Sequence, residues 1–358
     1  MFGVLTLTSG LFFSSALPTN AQTVENQQTL AEVTKADPDK LVTEKLVSQD
    51  SQTLESKQGD LELEIDLKDK EITIKQDSGE DIEISLPENL DLKNGQKIEN
   101  SVVFDGTNVD LVVQAVGGGI RQILNIDNAS KGNSFDFPVK LESNQKLTLN
   151  IDGSAMITQE LLKEKQIERD ELQKTAPEGL VIPNYKIITF IAKPWARDKN
   201  NKELPTYYSV NNDTLTQHID YANAVFPVSA DPAWCGAAVD KTYWQSDKRP
   251  GYPSYSLGVV PTWCGRYQAH PIYNWDSWQE VVSKTSSTCI KRSYTGLRCI
   301  EWNWDKQYGT SVYWSMYDQW VCHYSFLAAS YLEKAYDLEV WRPNVGLPKT
   351  VLATCNPK

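Results

Sequence analysis

The sequence predicts a β-rich N-terminal domain followed by a disulfide-bonded α+β C-terminal domain. Three observations predict this division. All six cysteines (Cys235, Cys264, Cys289, Cys299, Cys322 and Cys355) fall in residues 233–358 of the 358-residue chain. Ten of the eleven tryptophans lie there too, and only Trp195 is outside. Charge divides at the same place. Residues 24–100 hold 20 Asp and Glu against 9 Lys and Arg, a net of −11, whereas residues 233–358 hold 10 acids and 13 bases, a net of +3. A chain of this length permits two domains without requiring them.

Residues 1–21 read as a signal peptide. Residues 1–17 are apolar or hydroxylated and uncharged, and Pro18-Thr19-Asn20-Ala21 ends in a small residue, as cleavage requires. No Lys or Arg precedes the apolar stretch, so either translation starts upstream or the signal is atypical. A buried N-terminal strand is the alternative. The localisation expected is secreted or extracellular, where clustered cysteines in even number persist as bridges. No Cys-x-x-Cys and no His-x-x-x-His occurs, so no metal site is expected.

Residues 22–58 are rich in Gln, Glu, Ser, Thr and Lys and read as a polar spacer, flexible or partly helical. Residues 59–185 form an acidic β-rich domain. Leu61, Leu63, Ile65 and Leu67 alternate with polar residues, and Ile72, Ile74, Ile82, Ile84 and Leu86 continue the period of two. Such alternation predicts half-buried antiparallel strands, here with a turn at Asp77-Ser78-Gly79. Further strands are expected at 111–116, 120–126, 135–141 and 146–151, with turn chemistry at Asp105-Gly106 and Asp152-Gly153. Residues 158–174 read as a solvated helix. Gly117-Gly118-Gly119 lacks a following Gly-Lys-Ser/Thr, so it reads as a bulge or tight turn rather than a phosphate loop. The acidity reads as a solvated arm, or else as a device spacing the basic module from an anionic surface.

Residues 186–232 read as a β-hairpin connector. Ile187, Ile188, Phe190 and Ile191 make a buried strand. The run from Trp195 to Lys202 reads as a hairpin tip, and strands follow at 207–210 and 215–221. Residues 233–358 form the Cys/Trp-rich α+β module. Strands are expected at 256–260, 299–304 and 310–315. Trp302 and Trp304 alternate with Glu301, Asn303 and Asp305, so both indoles share one face. Asp276 with Gln279, and Ser315 with Asp318, read as helix starts. Met316, Trp320, His323, Tyr324 and Leu327 then mark one core-facing helix face, with Cys322 on the second turn.

The segments Ser256-Leu-Gly-Val-Val-Pro261-Thr262 with Arg266, Trp278-Gln-Glu280-Val281, Ser315-Met-Tyr-Asp318-Gln319-Trp320-Val-Cys322-His323, Leu338-Glu339-Val-Trp341-Arg342-Pro343 and Cys355-Asn356-Pro357 carry a resemblance. Over about 125 residues the chain resembles a secreted bacterial domain family of unknown function found in exported proteins of actinobacteria and firmicutes. The stretch from Trp195 to Asp231-Pro232 is similar to a connector common in such proteins. The resemblance implies boundaries and export but no reaction. It pairs Cys322 with Cys355, since both belong to the shared pattern. The other four cysteines depart from that pattern. Cys289 and Cys299 flank Tyr294-Thr-Gly296 and could close a short hairpin, which leaves Cys235 with Cys264. Six cysteines allow 15 pairings, so these stay open.

Among the histidines, His218 and His270 read as structural or surface residues. His323 is a weak catalytic candidate with Asp318 and Arg266, because a histidine near acids can act as a general acid or base at neutral pH. The alternative is a core imidazole that orients the Cys322 bridge. Glu280, Glu301, Asp305 and Asp318 would suit glycoside hydrolysis if two came within range. No Gly-x-Ser-x-Gly occurs, and bridged cysteines supply no nucleophile. No motif calls for a cofactor, and none is expected. The module holds 22 Trp and Tyr. Most must fill the core, but so many keep some polar tips near water. Exposed ones suit sugar rings or a protein partner, with Trp302, Trp304, Trp314, Trp320 and Arg342 as binding candidates. The small net charge disfavours nucleic acid, and no internal apolar run reaches membrane-spanning length. The sequence leaves the oligomeric state open.

The leading functional expectation is a secreted, non-enzymatic binding protein that engages cell-envelope glycan or a surface protein through the C-terminal domain. The alternatives are an exported antibacterial toxin or hydrolase with that domain as effector, and a structural domain without a ligand.

Overall fold

The computed structural model describes residues 20–38, 43–59, 61–76, 81–87, 89–246, 255–267, 273–285, 289–292, 296–299, 309–326 and 333–358. The N-terminal part runs through α1 (Asn20–Ala36), β1 (Val47–Ser48), β2 (Thr53–Gln58), β3 (Leu61–Asp66), β4 (Glu71–Gln76), β5 (Ile82–Ser85) and β6 (Gln96–Ile98). It continues with β7 (Ser101–Phe104), β8 (Val109–Val116), β9 (Gly119–Ile126), β10 (Ser134–Lys140), β11 (Gln145–Leu149), β12 (Ala155–Glu160) and α2 (Lys163–Gln173). Next come β13 (Tyr185–Ile191), β14 (Trp195–Asp198), β15 (Thr206–Asn211), β16 (Thr214–Ile219), β17 (Val228–Asp231) and β18 (Ala233–Cys235). The terminal part holds β19 (Val239–Ser246), β20 (Tyr255–Pro261), α3 (Trp263–Tyr267), α4 (Asn274–Thr285), β21 (Cys289–Arg292), β22 (Gly296–Cys299) and α5 (Gly309–Val321). A π-helical turn (Cys322–Phe326), β23 (Tyr336–Glu339) and α6 (Leu347–Leu352) complete it.

Two large antiparallel sheets build the N-terminal part. One has eight strands in the order β1-β2-β3-β4-β5-β10-β16-β15. The other follows β11-β12-β13-β18-β9-β8-β7-β6, with the β14–β17 pair joined to β9. Their inner faces meet in one core. Leu61, Leu63, Ile65, Ile72, Ile74, Ile82 and Ile84 from the first sheet pack with Phe104, Leu111, Val113, Leu124 and Ile126 from the second. Each such buried aliphatic side chain stabilises the fold by about 1.5–3 kcal/mol. β3 alternates buried and half-buried residues, as its period of two requires.

β8 and β9 are buried on both faces. The outer face is covered by α1, whose Val33 packs with Ile98, Val103, Val112 and Ile123. The expected polar spacer is therefore a packed helix, followed by strand β2. Its docking face contains polar residues that have specific partners. Asn26 donates to Gln96 Oε1 at 2.6 Å, and Thr29 donates to Asp110 Oδ2 at 2.8 Å. Asp37, just past the helix, pairs with Arg121 at 3.0 Å. Arg121 is wholly buried, also pairs with Asp231 at 2.9 Å, and lies 5.5 Å from the ring centres of both Trp195 and Trp263.

The expected hairpin connector is not a separate layer. β15 and β16 extend the eight-stranded sheet through β10, and β13, β17 and β18 complete the ten-stranded one. The run from Trp195 is a strand that pairs with β17. The strand expected at 146–151 ends at Leu149. Residues 158–160 end strand β12, so the charged helix begins only at Lys163. The turn expected at residues 77–79 lies outside the described residues, as does the signal expected at residues 1–21 except for Asn20 and Ala21, which open α1.

The Gly117-Gly118-Gly119 turn joins β8 to β9 and docks the terminal module. Gly118 has φ +85°, and a Cβ there would lie 2.1 Å from the Ala237 carbonyl oxygen. Gly117 O accepts from the Cys264 amide, and Gly118 O accepts from those of Gly236 and Ala237. A bridge between Cys235 and Cys264, at an S–S distance of 2.09 Å, ties β18 to α3 beside this turn.

Candidate functional site

The terminal module folds around the three-stranded sheet β19-β20-β23. Its inner face carries Trp244, Leu257, Val259, Tyr336 and Leu338, which pack against Trp278, Met316 and Trp320 of α4 and α5. The outer face follows from the register. Tyr243 lies opposite Gly258, which lies opposite Asp337; Gln245, Ser256 and Glu339 form the next row. The middle strand therefore presents only glycine and serine between two rows of long side chains. A Cβ on Gly258 would come within 2.4 Å of the Tyr243 ring, so that ring lies over the glycine. Tyr243 nevertheless remains 37% exposed. Across the small centre, Gln245 Nε2 donates to Asp337 Oδ1 at 2.7 Å.

Tyr243, Gln245, Asp337 and Glu339 line a cleft of about 510 Å³ that His323, Glu333, Lys334, Ala335 and Asn356 complete. The C-terminal tail forms one wall. Cys322 and Cys355 sit at disulfide distance, 1.99 Å, and Arg342 donates to Pro357 O at 2.9 Å. Arg342 also grips both carboxylate oxygens of Glu339. From α5, Gln319 donates to Glu339 O and accepts from its amide, which satisfies the outer edge of β23. Arg342 is thus buried and engaged in holding the tail.

The catalytic candidates do not assemble around one cleft. His323 lines the first cleft, on the π-helical turn that follows α5; Cys322, expected on that helix's second turn, opens the same π-helical turn. Its ring stacks on Tyr336, with centres 5.3 Å apart. Its Nδ1 lies 3.6 Å from Glu333 Oε2, too far for a hydrogen bond. Burial, aided by the positive charge of Arg342, lowers its pKa to about 4, so the ring is neutral at pH 7. Asp318 is buried in α5, and burial pushes its carboxyl up to about 7. Arg266 donates to the carbonyls of Glu333 and Lys334 and lines a second cleft, of about 540 Å³, with Lys57, Gly118 and Trp263.

The aromatic candidates also change role. Trp314 and Trp320 are buried in the core. Trp320 Nε1 donates to Ser277 and packs near Tyr324 and Tyr336; Trp314 Nε1 donates to Thr175, beyond α2. Trp302 and Trp304, like Glu301, Asp305, His270, Leu327 and most of the strand expected at 299–304, lie outside the described residues. The strand expected at 310–315 belongs to helix α5, which begins at Gly309, so Ser315 is not its cap. Cys289 and Cys299 are opposed across β21 and β22; their side chains lie outside the described set.

Asp276 and Glu280 join the module to the large sheets. Asp276 lies inside α4 rather than capping it, and its Oδ1 accepts from the Ile187 amide of β13 at 3.0 Å. Glu280 accepts from the amides of Ala238 and Val239 and from the Tyr273 hydroxyl. Burial raises both carboxyls, Asp276 to about 7.

Sequence reasoning missed Tyr243, Gln245, Glu333 and Asp337. The signal was present: Tyr243-x-Gln245, Ser256-x-Gly258 and Asp337-x-Glu339 are three alternating polar rows, the middle one small. Among the described residues no helix is long and apolar enough to cross a membrane. No curated protein matches the chain. Residues 239–358, which carry the whole three-stranded sheet and the cleft-forming tail, match the family described as a protein of unknown function (DUF2599).

Proposed function

We propose that the chain is a secreted, non-enzymatic binding protein of the cell envelope, and that the outer face of the β19-β20-β23 sheet holds a glycan. The observation that carries this reading is the Tyr243 ring, laid over Gly258 and still exposed beside hydrogen-bonding side chains. A flat ring edged by carboxylate and amide groups offers a sugar both a stacking surface and partners for its hydroxyls. Gln245, Asp337 and Asn356 supply those groups. Paired cysteines favour an oxidising compartment, and the apolar residues 1–17 would direct export. The toxin or hydrolase reading asks His323, Asp318 and Arg266 to act together; Asp318 is buried within α5, and Arg266 is engaged by the carbonyls of Glu333 and Lys334.

The test is sedimentation of the full chain with isolated bacterial cell walls. The wild type is expected in the pellet, and Tyr243→Ala is expected to bind about thirtyfold more weakly, the ~2 kcal/mol scale of a central aromatic contact. Wild-type protein that stays in the supernatant, or a folded Tyr243→Ala variant that binds equally well, would overturn the proposal.

A further inference from the structure

We propose that the chain has a second saccharide site, on the outer face of β10, β16 and β15 in the eight-stranded sheet, where the Tyr207 ring forms a fixed platform for an uncharged, hydroxyl-rich sugar chain. The proposal goes beyond the cleft reading and does not rest on it. The register lays this face out in three rows. Ser134, His218 and Tyr207 form the first, Asp136, Thr216 and Ser209 the second, and Pro138, Thr214 and Asn211 the third. The alternate residues Phe135, Phe137, Leu215, Ile219 and Tyr208 are buried in the core between the sheets. The three rows are therefore what the sheet turns outward.

Tyr207 is 62% exposed, yet its ring is held in place. It stacks on His218, with ring centres 4.7 Å apart and planes inclined by 19°. His218 is fixed at both nitrogens: Nδ1 lies 2.8 Å from Ser134 Oγ, and Nε2 lies 2.7 Å from Ser209 Oγ. Its backbone is tied as well, since Thr206 Oγ1 donates to His218 O at 2.7 Å. The imidazole is thus a positioning residue, a pedestal under the tyrosine. With one ring face on His218, exposure of this size leaves the other face to solvent. A platform oriented before binding loses little freedom when a ligand stacks on it.

The surrounding groups select the class of ligand. Asp136 is the one acid in the three rows, and it accepts from Thr216 Oγ1 at 2.7 Å. Lys140, next outward along β10, pairs with Glu83 at 2.6 Å. In a chain of net charge −12 this face is close to neutral. It lacks the cationic surface that nucleic acid needs. A protein partner would call for an apolar centre, whereas Pro138 is the sole aliphatic residue in the rows. What the face offers is a flat ring edged by the hydroxyls of Ser209, Thr216 and Thr214 and the amide of Asn211. That set matches a pyranose, whose ring face is apolar and whose rim carries hydroxyls. Successive rows lie roughly 7 Å apart along the strands, so the three rows accommodate more than one sugar unit. A polymer held here and at the cleft would be gripped at two points by one chain.

The experiment is sedimentation of the full chain with isolated bacterial cell walls. It compares wild type, Tyr207→Ala, Tyr207→Phe, Tyr243→Ala and the double alanine variant, each verified as folded by circular dichroism. Tyr207→Ala is expected to bind about tenfold more weakly, the scale an aromatic face contributes, and Tyr207→Phe to stay within about twofold of wild type because it keeps the ring. The residual binding of Tyr243→Ala should fall about tenfold further when Tyr207 is also replaced. That residual binding should change less than about twofold between about 0.05 and about 0.5 M salt, as an uncharged ligand requires. Tyr207→Thr, which suits a strand, takes the place of Tyr207→Ala should the latter not fold. A folded variant without the Tyr207 ring that binds as well as wild type overturns the second site. Equal losses in Tyr207→Phe and Tyr207→Ala overturn the stacking role. Residual binding that collapses in high salt overturns the uncharged class. Loss in Tyr207→Ala with none in Tyr243→Ala overturns the cleft reading and leaves this site standing. Wild-type protein that stays in the supernatant overturns both.

Discussion

Asp276 gives the sharpest test of how the module is joined to the large sheets. Its Oδ1 receives the Ile187 amide, while Oδ2 is buried without a hydrogen-bond partner among the described residues. Burial is the largest cause of its raised pKa, Glu280 one turn along adds to it, and Lys186 and the Ile187 hydrogen bond oppose it. The folded state keeps the proton to about pH 7, whereas the unfolded chain gives it up near 3.8. Between those values the folded state binds more protons, so stability falls as pH rises and levels off above about 7. A rise from 3.8 to about 7 corresponds to about 4 kcal/mol, taken as a ceiling because buried sites relax. Asp276→Asn keeps the acceptor for Ile187 and removes the charge. It should stabilise the module by roughly 2–4 kcal/mol at pH 8.5, by roughly 1–2 kcal/mol at pH 5, and change little at about pH 3.5. Urea unfolding followed by tryptophan fluorescence reads this directly, since nine of the eleven tryptophans lie in residues 239–358. A variant less stable than wild type at pH 8.5 would refute the reasoning, for the carboxylate would then be a net stabiliser.

Three further perturbations separate packing from binding. Trp320→Ala should cost about 3–5 kcal/mol in thermal or urea unfolding, because it empties a wholly buried site; residual folded protein should still bind glycan. Gly118→Ala should cost about 1–3 kcal/mol or more, since the residue has φ +85° and the new methyl meets Ala237 O at 2.1 Å; unchanged melting would contradict the docking role of that turn. Replacing Cys322 and Cys355 together by serine should lower stability by about 3–4 kcal/mol, the chain-entropy value for a 33-residue separation, and should also weaken ligand binding, because Asn356 belongs to the cleft wall.

What the sequence revealed follows from where one physical signal dominates. β3, β4 and β5 were legible because each has one apolar face and one polar face. α1 was not, because its docking face includes Asn26 and Thr29, polar residues whose partners lie 70 and 81 positions away. A clue lay elsewhere: β8 reads as a largely apolar run, broken only by Asp110 and Gln114, which implies cover on both faces. In α5, Val312, Tyr313 and Trp314 have strand-like propensity, but residues 313–324 are buried almost without interruption and packing decides the helix. The cleft escaped notice for a related reason. Abundant tryptophan drew attention to residues that the core consumes, whereas the cleft's exposed aromatic is Tyr243, set off by a glycine and a serine on the adjacent strand. The Cys322–Cys355 pair was legible only through resemblance, and Arg342 explains why the tail it anchors has a fixed path.

The central claim is that the outer face of β19-β20-β23 binds a glycan. Its most direct test is the affinity of the full chain for isolated cell walls, wild type against Tyr243→Ala, with both proteins verified as folded by tryptophan fluorescence. The account predicts saturable binding of the wild type and a loss of about thirtyfold in the variant. Wild-type protein that fails to bind, or a variant that binds as well as wild type, would contradict it.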